Sequence, residues 1–201
     1  MPAIESKIDC RSDAFQRNRQ RMLALVERLR ALEARTRDES AKVKPLFEKR
    51  KQLLPRERIA RLLDLGAPWL ELCSMAGFCL DNPDPEKSIP GGGVIGGIGY
   101  VSGVRVVVVA SDAGIDAGAI QHMGREKLLR LQELALTNKM PFVHLVESAG
   151  ANLLKYRVEG FIHGGSIFYN LAKLSAAGVP VITVVHGSST AGGAYMPGLS
   201  N

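Results

Sequence analysis

Apolar residues in "FQRNRQRMLALVERLRALEA" fall at Met22, Leu25, Leu29 and Leu32, three and four apart, with charged residues between them. That spacing predicts an amphipathic helix. A second amphipathic piece, "LPRERIARLLDLG", has Pro55 near its start and Gly66 after its end, the usual punctuation of a helix. Three prolines and three closing glycines make "DNPDPEKSIPGGG", residues 81–93, a loop. Next, "IGYVSGVRVVVVA" reads as two strands around a Ser102-Gly103 turn, a hairpin. Leu128, Leu131, Leu134 and Ala135 give a helix ended by Asn138 and Pro141. "PFVHLVES" is a short apolar strand, "GGSIFYNLAKLSAAG" a helix stopped at Gly178, and "VPVITVVHG" an almost wholly apolar strand, expected to be parallel and buried on both faces. Hairpin, helix, strand, helix, strand and helix start imply a layered α/β domain with right-handed crossovers. We place a basic helical segment at 1–66 and the α/β domain at 67–201.

Charge sharpens that division. Of a formal net +6, residues 11–61 hold 16 Lys and Arg against 7 Asp and Glu, so the rest of the chain is net acidic. The basic helices either present a solvated face packed on the domain or a partner, or grip a polyanion. With no interleaved aromatic residues and no nucleic-acid motif, no nucleic-acid partner is expected. At 201 residues with 46% hydrophobic content, one domain with a sizeable core is feasible. The N-terminal "MPAIESKIDC" has no apolar signal region, and no stretch nears the roughly 20 apolar residues that cross a bilayer, so a cytoplasmic protein off the membrane is expected. Cys10, Cys73 and Cys79 form no even framework and no C-x-x-C spacing, and read as idle thiols.

Several chemistries can be weighed and set aside. Gly91, Gly93 and Gly96 fit G-x-G-x-x-G, but a proline loop precedes them and a strand comes after, the reverse of a dinucleotide fold. Gly187-Ser188-Ser189-Thr190-Ala191 is one residue short of a nucleophile elbow, and no Asp, Glu or His comes after Ser189. His122, His144, His163 and His186 lack metal-ligand spacing, so no metal is expected.

What remains is bare backbone. The two buried strands end alike, at Ser148-Ala149-Gly150-Ala151 and at Thr190-Ala191-Gly192-Gly193-Ala194. In open α/β sheets, ligands gather beyond the carboxyl ends of strands, where the next helix presents unbonded N–H groups. These small residues either form an oxyanion hole of main-chain amides or merely let helix and strand pack closely.

Taken together, "LLPRERIARLLD", "GGIGYVSGVRVVVVASDA", "PFVHLVESAGANL", "IFYNLAKLSAAGVPVITVV" and "GSSTAGGAYMPGLS" resemble the N-terminal half of the carboxyltransferase (β) subunits of biotin-dependent acyl-CoA carboxylases. The resemblance runs from about residue 15 to the end and implies a crotonase/ClpP-like ββα superhelix, its N-terminal domain only. It implies transfer of CO2 from carboxybiotin to an acyl-CoA, with biotin carried by a biotin carboxylase/biotin-carrier α subunit that alone uses ATP. Such β subunits form homo-oligomers. In the family, main-chain amides shelter the thioester enolate and the biotin ureido oxygen, so no side-chain nucleophile is needed.

By motif match, Gly192 and Gly193 hold one oxyanion, while Ala149, Gly150, Ala151, Thr190 and Ala191 lie on the acyl-CoA side. Relatives read S-G-G-A where this chain has Ser148-Ala149-Gly150-Ala151, which adds one methyl beside the thioester path. The 3-methylcrotonyl-CoA branch has phenylalanine where this chain has Gly164, and the missing benzyl group favours a longer branched acyl chain, as in geranyl-CoA carboxylases. Arg56 and Arg58 are candidates to grip CoA phosphates. Family members continue into a second crotonase-like domain, so these 201 residues alone are expected to be inactive. Two rivals stand beside this reading. One is an acyl-CoA-binding or assembly fragment; the other is a hydratase or isomerase using Glu147 or Glu159.

Overall fold

A computed structural model describes residues 5–151 and 157–201. Helix α1 (Asp13–Ala41) starts at Ser12, whose hydroxyl accepts from the Phe15 N–H. Two short helices come next, α2 (Lys44–Lys49) and α3 (Pro55–Leu62), then strand β1 (Leu70–Glu71). The hairpin is β2 (Val94–Val101) and β3 (Val104–Ser111). Helix α4 (His122–Asn138), β4 (Phe142–Ser148), α5 (Val158–Gly164), α6 (Ser166–Ala176), β5 (Val181–Ser189) and α7 (Gly192–Gly198) complete the chain.

The five strands form one sheet in the order β1-β2-β3-β4-β5. The first three are antiparallel and the last three parallel. At the hairpin tip both Ser102 and Gly103 take positive φ, 52° and 77°, as a two-residue turn of the twisted hand requires. The Asp64 carboxylate accepts from both turn N–H groups at 2.7 Å.

Alternation along the central strands sorts their side chains to two cores. Val107, Val109, Phe142 and Val146 face Leu128, Leu131, Leu171 and Leu174 of α4 and α6. Val106, Val108, Val143 and Leu145 face Ile59 of α3 together with Trp69. Helix α3 thus packs on the sheet although it lies before the boundary drawn at Gly66. The result is a helix–sheet–helix sandwich with β3 and β4 at its centre.

Two expectations need correction, and one helix was not expected. Strand β5 is parallel as predicted, but it is a sheet edge with Ile182, Val184 and Val185 exposed, so it is not buried on both faces. Its apolar run reflects a surface that no other described element covers. Likewise the stripe of α1 is open, with Met22 and Leu25 each 60% exposed, while only Thr36 and Ser40 near its C-terminal end are buried. Helix α5 went unforeseen: it is one short stretch of seven residues, and its apolar Val158, Phe161 and Ile162, three and four apart, are all exposed. Among the described residues, no helix is long and apolar enough to cross a membrane.

Candidate functional site: the turn between β5 and α7

Strands β4 and β5 run side by side and bring their carboxyl ends together. Thr190 N–H donates to Ser148 O at 3.0 Å, and a Cβ on Gly150 would lie 3.2 Å from Thr190 O and 3.4 Å from the Ala191 methyl. The chain then reverses through Thr190-Ala191-Gly192-Gly193. Ala191 takes φ 46° and ψ −121°, and Gly193 N–H donates to Thr190 O at 2.9 Å, closing the turn. This is a type II′ geometry, in which position i+1 has positive φ and glycine is favoured. An alanine held there stores strain of about 1–3 kcal/mol, and such strain clusters at functional sites.

The turn determines which amides are free. Gly192 opens α7, where the first N–H groups have no partner inside the helix. Ala194 and Tyr195 N–H both fold back to Ala191 O, at 3.0 and 3.1 Å. Gly193 N–H is spent on Thr190 O. Gly192 N–H has no acceptor among the described residues. Of the expected glycine pair, only Gly192 keeps a free N–H among the described residues. Gly193 serves packing instead, since a Cβ there would lie 2.9 Å from Ser148 Cβ.

Amides of the partner motif at the end of β4 are also bonded within the chain. Ala149 N–H donates to Ala117 O at 3.1 Å and Gly150 N–H to Ser148 Oγ at 3.1 Å, so neither offers a donor to a ligand. Gly150 carries φ +83°, while Ala149 and Ala151 are exposed beside it. Asn152 and Leu153, which close that motif, lie outside the described residues. Thr190 and Ala191 are exposed on the same rim. The Phe168 ring, from α6, stacks edge-on with Tyr195 at 4.8 Å and stands 3.3 Å from where a Gly192 Cβ would be. Nothing in the sequence periodicity marked this aromatic pair.

Gly164 ends α5, with nothing within 4 Å of its would-be Cβ, so a large side chain is sterically admissible there. Neither arginine is free to bind phosphate. Arg56 pairs with both oxygens of Glu71 at 2.8 and 2.9 Å; burial opposes its charge, but Glu71 outweighs this and raises its pKa. Arg58 is buried against Glu147 at 2.5 Å, donates Nε–H to Leu53 O at 2.8 Å and lies over the Phe47 ring. At these two positions the positive charge is met by a carboxylate inside the chain.

Glu147 is correspondingly tied up. Alternation along β4 points it to the α3 side, whereas Ser148 points to α7. A hydratase acid/base at Glu147 is thereby disfavoured, and Glu159 is exposed on α5.

A second polar cluster lies between α1 and the hairpin, around a cavity of about 110 Å³ lined by Glu33, Arg56, Glu71 and Asp112 among others. Ser40 Oγ donates to Asp112 at 2.6 Å. Burial raises the Asp112 pKa and lowers that of the nearby Lys127 to about 8. None of the residues lining this cavity belongs to the β5–α7 turn, and we read the cluster as the clamp that holds α1 on the sheet.

Known proteins are similar to this chain in sequence and in fold. A crystal structure of the β subunit of Pseudomonas aeruginosa geranyl-CoA carboxylase is similar over 100% of this chain and 37% of its own, at 54% identity and TM-score 0.91. A probable mitochondrial methylcrotonoyl-CoA carboxylase β chain of Drosophila melanogaster is 40% identical over 98% of this chain and 34% of its own length. The biotin-dependent 3-methylcrotonyl-coenzyme A carboxylase β1 subunit of Mycobacterium tuberculosis is 47% identical over 76% of this chain and 28% of its own. Transcarboxylase 12S shares the fold, at 24% identity and TM-score 0.77. The chain thus spans about a third of the length of these relatives. Residues 48–201 match the family model of the carboxyl transferase domain, and to that family, with its crotonase-like mixed sheet, the chain belongs.

Proposed function

We propose that this chain is the N-terminal part of a carboxyltransferase subunit that moves CO2 from carboxybiotin to a branched unsaturated acyl-CoA, with geranyl-CoA favoured over 3-methylcrotonyl-CoA. One observation carries the reading: the unpaired N–H of Gly192, fixed by a strained turn at the carboxyl ends of two parallel strands. A neutral, immobile donor suits an oxygen that becomes negative only during reaction, since it costs no reorganisation when charge appears. Thioester oxygen lodged at Gly192 is held while the acyl group loses a proton and its enolate forms a bond to CO2. Biotin held on a partner subunit would supply the CO2 and, once decarboxylated, the base that takes the proton. The Phe168 ring, stacked edge-on with Tyr195, sets apolar surface beside the donor. The turn faces solvent in this chain, which fits a site completed by a second domain or subunit.

The test is to exchange the Gly192 peptide N–H for an ester oxygen in the full-length enzyme with its biotin-carrying partner. A kcat lower by roughly 10²–10³-fold is expected, the loss typical of one oxyanion donor. Unchanged turnover refutes the assignment. For the acyl group, Gly164→Phe in the same enzyme is expected to abolish use of geranyl-CoA while sparing shorter substrates. Equal loss on both refutes the chain-length reading.

A further inference from the structure

Opposite the single residue Glu147, β5 carries three. Register runs Val146 to Val185 and then Ser148 to Ser189, so His186, Gly187 and Ser188 bulge outward. Bulges bend a strand and re-aim the residues beyond them, and this one ends three residues before Gly192.

Three contacts fix its shape. A Cβ on Gly187 would collide with Glu147 Oε1 and lie 2.5 Å from its carboxyl carbon and 2.9 Å from its Cγ, so the Glu147 side chain fills the notch that the missing Cβ leaves. Arg58 holds that carboxylate at 2.5 Å, with both side chains under one-tenth exposed. From the α2–α3 link, Gln52 Nε2 donates to His186 O at 3.3 Å. Arg58 in turn is fixed by Leu53 O and by the Phe47 ring.

A buried ion pair is weak evidence for stability, because desolvation of two charges offsets their attraction. The pair contacts only one guanidinium nitrogen, and Arg58 Nη2 is buried without a hydrogen-bond partner. Stability alone is therefore a poor account of it. Its location is the better one: it lies on the far side of the sheet, directly beneath the segment leading into the turn.

We infer that Arg58 and Glu147 are positioning residues, which lock the Gly187 bulge and so set where the Gly192 N–H points. The link to turnover rests on the oxyanion reading given above; the link to turn geometry does not. Both are tested in the full-length subunit assembled with its biotin-carrying partner, using Glu147→Gln, which keeps shape but removes charge. Gly187→Ala fills the notch from the other side and carries the test should Glu147→Gln fail to fold.

Amide hydrogen exchange at Gly193, whose N–H closes the turn, is expected to accelerate at least about tenfold while Val143 to Val146 of β4 keep their protection. Turnover is expected to fall roughly a hundredfold, the effect of a misplacement near 1 Å, with KM for the acyl-CoA nearly unchanged. Wild-type exchange at Gly193 in both variants overturns the proposal. So does acceleration spread evenly over β4 and α4, which a merely structural pair would give. Faster exchange at Gly193 with kcat intact upholds the positioning role and overturns the oxyanion reading instead.

Discussion

Replacing Ala191 by glycine should make the chain more stable, contrary to the usual effect of glycine. With φ 46° and ψ −121°, Ala191 occupies a region that suits only residues without a Cβ, at a cost of about 1–3 kcal/mol. Ala191→Gly releases that strain. Against it stands the wider conformational freedom of glycine in the unfolded chain, about 0.4–1 kcal/mol. No buried contact of comparable size is lost, since Ala191 is exposed. The balance is a gain of roughly 1 kcal/mol, or about 0.4 M in the urea midpoint for a chain unfolding with a slope near 2–3 kcal/mol/M. Equilibrium urea unfolding monitored by circular dichroism reads this directly. A lowered midpoint would mean that Ala191 is not held at positive φ, and the free donor at Gly192 would lose its geometric basis.

Two further outcomes bear on the scaffold. Asp64→Ala removes the acceptor of two turn N–H groups at the hairpin tip and should cost about 1–2 kcal/mol, read from the same unfolding curve; no change would refute that role. His144 is fully buried, and desolvation lowers its pKa to about 4. The unfolded chain, with an ordinary value near 6.5, binds the proton between those pH values, so stability should be full above pH 6.5 and fall on the order of 3 kcal/mol as pH drops towards 4. His144→Gln should flatten that part of the pH profile, and an unaltered slope would assign it to other groups.

Most of the scaffold was legible because its elements obey simple periods. The stripe at Leu128, Leu131 and Leu134, the Ser102-Gly103 turn and the unbroken apolar run of β4 each specify one local structure. The bare strand ends are legible in the sequence, but the hydrogen bonding of their amides is not. Sequence shows that Gly192 and Gly193 are both undecorated; only the turn's hydrogen bonding shows that one amide is used and the other is free. The internal ion pairs of Arg56 and Arg58 were hidden for a related reason. Their partners, Glu71 and Glu147, are distant in sequence, and no spacing rule anticipates such pairings. The same holds for Phe168 and Tyr195, which meet only because α6 and α7 cross the end of the sheet.

Strand β5 finally has a practical consequence. A parallel edge strand whose outer backbone groups meet Asn201 at Val181 and Gln52 at His186, with isoleucine and valine between them turned to water, is an invitation to any extended peptide, including another molecule's own β5. Handled alone, this polypeptide should become less soluble as concentration rises, and a lysine in place of Val184 should relieve the stickiness without disturbing the folded interior.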